Sequence, residues 1–546
     1  MKKLYLVLST LVVLGMLLGA CAQTPATQAP VQPTEAPAQP EAPAEPTEAP
    51  AATEPPAEAT EAPVVTEPPA AEEKPVVVAS PNDMDTFDPH AVTGMFPYRS
   101  LTYWVFDVLV NADRQGQPVP ELATEWTKID PLTWEFTLAE GATFHNGEPF
   151  NADAVKFSFD RMKTEEFINY NQIYRRASLK EVNVIDEYTI QLVTENPAPE
   201  ILYWLSESFI VPPQYYSEHD SAFLAENPVG SGPFKFVEWV KDDHITFVAN
   251  EDYHLGAPVI KNAVFRVIPE ASSRLNELIT GNVDIVTGLT PNQADQANSD
   301  VSRLVTAEGW RKMHIGISQD GNEILQNKLV RQAMNYAVDK QAIIDALLLG
   351  ATSPLQSIVN PPFNNTELEP YPYDPEKAKA LLAEAGYPDG FEVIFQTPIE
   401  RYGMDKDISQ IVAQYLADVG IKTQFEAIEW GKYLDYLDQK SFEGIYFMGY
   451  STYIVTGPQL GTLICGALDN PADYCNEEYT AMFDEFNTTD DEARRQEISF
   501  AMQAMVWEDA PWIFLWRLPM FLGMSNRIDW EPHPALYVDL WDATLK

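Results

Sequence analysis

The sequence predicts a mixed α/β protein made of two lobes behind a non-globular N-terminal arm. Three observations carry that prediction. The chain has 546 residues, more than one hydrophobic core usually organises. Residues 133–253 contain runs that alternate apolar and polar side chains around turn residues, as antiparallel hairpins do. Beyond about residue 325, strand-like and helix-like segments follow one another in turn, the pattern of a mixed or parallel sheet covered on both faces.

The arm comes first. "MKK" precedes the apolar run "LYLVLSTLVVLGMLL" and then "GAC", the charged start, apolar middle and small-residue end of an export signal. The run is too short and too close to the N-terminus to favour a membrane-spanning helix. "LGAC", Leu18 to Cys21, resembles a bacterial lipobox, which implies cleavage before Cys21 and lipid on its sulfur and amine. Several acyl chains anchor a protein stably where one holds only marginally. Residues 22–75 are almost wholly Ala, Pro, Glu and Thr, with little to bury and like charges that repel, so they are expected to be a disordered, extended tether.

The chain carries 81 acidic and 35 basic residues, a formal net charge of −46. That balance disfavours nucleic acid, which needs a basic footprint, and fits a well-solvated soluble body. With Cys21 committed to lipid, Cys465 and Cys475 in "CGALDNPADYC" are left as a pair that could close a short loop in an oxidising compartment or persist as free thiols.

Along the body, "PVVVAS" reads as a first strand. "TWEFTLAEGATFHNGEPF" reads as a hairpin turning at "HNGE", since Asn-Gly tolerates positive dihedrals. "NADAVKFSFDRM" begins with an Asn suited to cap a helix. In "NPVGSGPFKF", residues 227–236, Gly supplies unusual backbone angles and Pro fixes its own, which suggests a rigid corner before the hairpin "FKFVEWVKDDHITFVANEDY". Apolar residues at helical spacing then run through "NKLVRQAMNYAVDKQAIIDALLLG" to Gly350. Asp374 and Pro375 suit the cap and first position of a helix that Gly386 ends. Strand "FEVIFQ", helix "DISQIVAQYLADVG", strand "KTQFEAIEW", helix "KYLDYLDQ" and strand "GIYFMGY" follow, and a long helix leads into the core-like strand "WIFLW".

Catalytic signatures are missing. The seven histidines, at 90, 145, 219, 244, 254, 314 and 533, show no HExxH spacing and no pairing with cysteine that would build a zinc site. Neither a GxSxG elbow nor a phosphate-cradling loop is present. Adjacent acids such as Asp242–Asp243 and Asp490–Asp491 read as solvated surface. No enzyme activity, cofactor or metal is expected; the alternative, an extracellular hydrolase, would need a paired acid or nucleophile that the sequence does not offer.

Eight blocks acquire meaning from their order: "DTFDPH", "VPELATEW", "TWEFTL…GATFHNGEPFNADAVKFSFDRM", "NPVGSGPFKFVEW", "VIPEASSRLNELITGNVDI", "VRQAMNYAVDKQAII", "YDPEKAKALLAEAGYPDGFE" and "VGIKTQFEAIEWGKYL". In this order they resemble the bacterial extracellular solute-binding proteins of the peptide/nickel type, from about residue 75 to the C-terminus. The resemblance implies a periplasmic-binding-protein-like type II α/β fold: a first lobe from residues 76–110, 229–314 and 516–546, an inserted subdomain at 111–228, and a second lobe at 315–515. It also implies a monomeric receptor, anchored on the outer face of the cytoplasmic membrane, that clamps a solute between hinged lobes and delivers it to the permease subunits of an ABC importer. Such closure requires higher affinity for the closed state. The "GSGPF" corner then marks the chain's return from the insert, with no solute contact.

By the same resemblance, Trp430, Gly449, Tyr450, Ser451, Tyr453 and Trp516 face the cleft, with Tyr98 and Arg401 as further candidates. Aromatic faces offer rigid contact area, and a strand edge can pair with an extended peptide. One departure bears on the solute. Peptide-binding relatives carry an acid just after this strand to pair with the ligand ammonium, whereas "GYSTYIVTG" has none and places Tyr453 there. An unpaired buried ammonium is costly, so an oligosaccharide gains weight beside a peptide. Nickel chelates have no ligand signature here.

Overall fold

The apolar run Val76–Ser80 forms strand β1, buried along its whole length, as a run without polar alternation requires. The computed structural model describes residues 74–91, 97–168, 171–450, 455–467, 470–535 and 537–546. The export signal, Cys21 and most of the tether lie outside them. No helix among the described residues is long and apolar enough to cross a membrane.

After β1 come helix α1 (Tyr98–Val105) and a short ribbon of β2 (Val110–Ala112) and β3 (Pro118–Pro120). A separate antiparallel sheet follows: β4 (Ala123–Asp130), β5 (Thr133–Leu138), β6 (Leu179–Asp186) and β7 (Thr189–Thr194), in the order β4-β5-β7-β6. Helix α2 (Ala152–Met162) shares a core with this sheet through Phe136, Val155, Phe159 and Leu192, and Asn151 caps it by accepting the Ala154 N–H. The Asn-Gly turn closes less than the sequence suggests. Gly147 has φ +87°, but the turn joins only a bridge from Thr143 to Pro149. Strand β5 pairs with β4 and β7 instead, because Phe136 and Leu138 must face the core of the four-stranded sheet.

The "GSGPF" corner needs its glycines for close approach, not for unusual dihedrals. Neither Gly230 nor Gly232 has a left-handed φ. A Cβ on Gly230 would overlap the Val105 carbonyl oxygen, and one on Gly232 would lie 2.7 Å from the Val105 carbonyl carbon. The Gly232 N–H donates to that carbonyl at 2.9 Å. The corner is thus seated on the C-terminal end of α1.

Beyond it, β8 (Phe234–Val240) and β9 (His244–Ala249) form the expected hairpin, with Asp242 at φ +63° in its turn. Strands β10 (Asn262–Val267) and β11 (Ile285–Val286) flank β1 in parallel. Strand β12 (Ser302–Ile317) is 16 residues long. The helical pattern after residue 327 yields two helices, α3 (Lys328–Ala337) and α4 (Lys340–Leu347), where spacing suggests one. Asp339 accepts the Ala342 N–H at 3.0 Å and starts the second. Buried Lys340 donates to the Asn335 carbonyl at 2.5 Å, satisfying the end of the first.

Asp374 and Pro375 open α5 (Pro375–Glu384) as their chemistry predicts. Then β13 (Phe391–Pro398), α6 (Asp405–Asp418), β14 (Ile421–Ile428), α7 (Trp430–Asp438) and β15 (Ile445–Tyr450) alternate, and β13 lies parallel to both β14 and β15. Helices α8 (Thr456–Gly461), α9 (Glu477–Thr488) and α10 (Glu492–Asp509) lead into β16 (Trp512–Ser525).

Ten strands join one sheet, in the order β14-β13-β15-β12-β16-β11-β1-β10-β9-β8. Its centre is the antiparallel pair β12 and β16. Residues Ser302–Glu308 pair with Ser525–Pro519, and Lys312–Gly316 with Arg517–Trp512. The register shifts between Glu308 and Lys312, and again between Met313 and His314. Such bulges bend strands and increase local twist, so the two halves of the sheet need not be coplanar.

Candidate functional site

Beside this break, the ends of β13 and β15 and the start of α7 bring several candidate residues together. Gly449 lies opposite Met313 on β12. A Cβ at Gly449 would stand 2.7 Å from the Tyr402 ring, 2.9 Å from the Met313 sulfur and 3.1 Å from Arg311 Cδ. The glycine therefore lets Tyr402 lie against the strand, where its hydroxyl donates to the Gly449 carbonyl at 3.4 Å.

Tyr402 lies at the centre of an aromatic and cationic group. The Trp430 ring meets it edge-on at 6.1 Å and stacks on Tyr433 at 5.8 Å. The Arg401 guanidinium lies 4.8 Å from the Trp430 centroid and 5.3 Å from that of Tyr402. Arg311 approaches the same tyrosine at 5.8 Å. Trp430 is placed by Glu429, which caps α7 by accepting the N–H groups of Gly431 and Lys432.

Arg401 sits in a tight turn where Glu400, Gly403 and Met404 all have positive φ. The buried Asp405 carboxylate holds that turn by accepting the N–H groups of Arg401 at 2.8 Å and Tyr402 at 3.1 Å.

A second basic pair, Lys312 and Arg517, lies on the crossing strands. Lys312, wholly buried, donates to Gln459 Oε1, which also accepts the Asn360 N–H at 2.8 Å. Burial, reinforced by the Arg517 charge opposite, pushes the Lys312 amine well below the usual lysine range. Glu308 is the nearby carboxylate that favours the Arg517 charge, and it accepts from Thr352 Oγ1 at 2.9 Å. In so acidic a protein, the three arginines Arg311, Arg401 and Arg517 beside one strand break are a local concentration of positive charge, while burial disfavours the charged form of Lys312. They suit an anionic group, and the aromatic faces suit flat or apolar parts of the same molecule.

The remaining candidates lie apart or deeper. Tyr450 is half-buried, donates to the Pro458 carbonyl at 2.8 Å and faces Trp512 at 6.1 Å. Trp516 is 1% exposed, a core side chain opposite Met313. Tyr98 starts α1, accepts the Asp85 N–H at 2.9 Å and lines a 710 Å³ pocket with Asp83, Asp85, Lys241 and Asp242. None of the other candidates lines that pocket. Ser451 and Tyr453 lie outside the described residues. Cys465 and Cys475 are joined by a disulfide, their Cα atoms 4.4 Å apart. Among the described residues, no group of three or more His, Cys, Asp or Glu side chains could hold a metal ion.

Sequence reading missed Tyr402, Arg311, Lys312 and Asp405. Tyr402 adjoins Arg401 and was within reach of the same reading. The other three acquire their positions only from strand pairing and loop closure.

Residues 117–464 match the model of the bacterial extracellular solute-binding proteins, family 5. The chain is 30% identical over 489 residues to heme-binding protein A of Haemophilus influenzae, covering 81% of this chain and 87% of that protein. It is 27% identical over 488 residues to the dipeptide-binding protein of Escherichia coli, covering 81% and 89%. Among solved structures, HbpA2 from Haemophilus parasuis superposes with a TM-score of 0.77 at 23% identity, over 86% of this chain and 99% of that one. DppA from Helicobacter pylori, in complex with the peptide STSA, superposes with a TM-score of 0.66 at 25% identity, over 86% and 98%.

Proposed function

The chain belongs to the bacterial extracellular solute-binding proteins of family 5, and from that membership we propose that it is the lipid-anchored receptor of an ABC importer, binding a peptide-like solute with an anionic end. Its lobes are the two halves of the ten-stranded sheet with their attached helices, and its hinge is the register break in β12 and β16. Closure brings solute against the Trp430 group, and opening releases it to the permease. Cys21 supplies the anchor and residues 22–75 the reach.

One observation carries the choice of solute. The Arg401 guanidinium is held against the Trp430 and Tyr402 faces, with no carboxylate partner among the described residues. A cation so placed is ready for a ligand carboxylate, and a charge-assisted hydrogen bond of this kind contributes about 1.5–3 kcal/mol.

The experiment is a calorimetric panel of di- and tripeptides, their C-terminal amides, heme and oligosaccharides. Binding of free-acid peptides, weakened at least tenfold by amidation and by Arg401→Gln alike, is the expected result. Equal affinity for acid and amide would end the proposal. The oligosaccharide reading keeps one point in its favour, the lack of a carboxylate in "GYSTYIVTG" to meet a ligand ammonium. Binding of oligosaccharides alone would establish it.

A further inference from the structure

Far from the Trp430 group, a second contact joins residues distant in sequence. Glu200, just before the short helix Ile201–Leu205, sends its carboxylate across a seam to α8 and α10. Both of its oxygens accept the Gly457 N–H, at 3.1 and 3.0 Å. Arg495 Nη2 lies 2.9 Å from Oε1. That guanidinium is wedged between Phe486 at 4.2 Å and Phe363 at 4.9 Å, and its Nε donates to the Phe486 carbonyl at 3.3 Å. Glu200 is 8% exposed and Arg495 3%.

Three features mark this as a docking contact between bodies rather than part of one core. Ile201 and Trp204 beside Glu200 belong to the core of the four-stranded sheet, which Val455 joins from just before α8, whereas Phe363, Leu460 and Phe486 belong to a different core. The seam is incompletely filled: a 370 Å³ pocket remains, bounded by Pro199 and Trp204 on one side and Pro458 and Phe483 on the other. Gly457 has an ordinary backbone, yet a Cβ there would lie 2.4 Å from Glu200 Oε2, so a side chain at this position would displace the carboxylate from its seat. A second ion pair, Lys128 to Asp490, spans the same two bodies at the surface.

We propose that Glu200 and Arg495, seated on Gly457, form a latch that holds the insert at 111–228 against the second lobe and sets the closed population without touching solute. This rests on the hinged reading given above. When the seam is shut, each charge is stabilised by the other, the carboxylate also by the Gly457 N–H and the guanidinium by the Phe486 carbonyl. When it opens, both are hydrated, so the pair is stable in either state and its strength sets the balance. Removing one partner leaves the other buried and unpaired only in the closed form, which tips the protein open.

The test measures the distance between spin labels at exposed positions 185 and 484 in the solute-free full chain, by pulsed electron–electron resonance. Ile185 lies in β6 and Asp484 in α9, on opposite sides of the seam. Gly457→Ala and Glu200→Ala should each lower the ratio of short to long distances at least tenfold, with circular dichroism unchanged. Gly457→Ala keeps every charge, so it separates loss of the seat from loss of an ion. If the unsubstituted protein shows two distances and neither substitution alters their ratio, the latch is wrong and the hinge stands. If every protein gives one identical distance, with or without a mixture of di- and tripeptides, latch and hinge fall together.

Discussion

The Asp405 carboxylate accepts the backbone N–H of Arg401 at 2.8 Å, so a buried acid fixes the backbone that carries an exposed cation. The same carboxylate accepts from Tyr402 and Glu400. Asp405→Ala would leave these groups without their acceptor, at a cost of about 1–3 kcal/mol. We expect chemical denaturation to show that loss, and titration to show weaker binding of a free-acid peptide although Arg401 is intact. Wild-type affinity in a destabilised variant would mean that the turn does not position Arg401.

The Trp430 ring lies 4.8 Å from the Arg401 guanidinium. Trp430→Ala removes a cation–π contact of about 0.5–1 kcal/mol at an exposed site, more if ligand excludes water. Affinity for a free-acid peptide should fall several-fold or more while the melting temperature changes little, because Trp430 is only half-buried. A large melting shift with unchanged affinity would assign the ring to packing.

Gly232 tests the reading of the "GSGPF" corner. Because a Cβ there meets the Val105 backbone and not a flexible side chain, Gly232→Ala should destabilise by about 3 kcal/mol or more. Gly147→Ala meets nothing within 4 Å and is opposed only by its φ of +87°, so it should cost about 1 kcal/mol. Equal effects in urea unfolding would contradict the distinction.

His314 links stability to pH. It is buried and stacked on Trp512 at 4.0 Å, and burial holds its imidazole down to about 3. An unfolded histidine titrates near 6.5. Between those values the unfolded chain binds a proton that the folded chain refuses, so the contribution to stability is full above about pH 6.5 and is lost as pH falls, by about 1.4 kcal/mol per unit. The unfolding free energies of wild type and His314→Phe should diverge by that slope between pH 6 and 4.5. Parallel curves would show that the ring is not kept neutral.

The local chemistry of capping and turning was legible wherever one residue acts on its immediate neighbours. Asn151, Asp374, Pro375 and the alternating strands from Phe391 to Tyr450 are instances. Asp339 was as visible as these, but apolar spacing outweighed it and merged two helices into one. The corner glycines were recognised as a corner for the wrong reason, since their constraint is the carbonyl of Val105, more than a hundred residues earlier.

By itself, then, the amino-acid order settled the α/β class, the succession of elements in the C-terminal half and the family, because each follows from near-neighbour spacing or from ordered blocks. Tertiary structure alone decided that Tyr402 packs among Arg401, Trp430 and Gly449, that Trp516 is core, and that Glu200 finds Arg495. Those relations depend on which strands pair and in what register, and a one-residue slip at the β12–β16 break would redirect every side chain beside it.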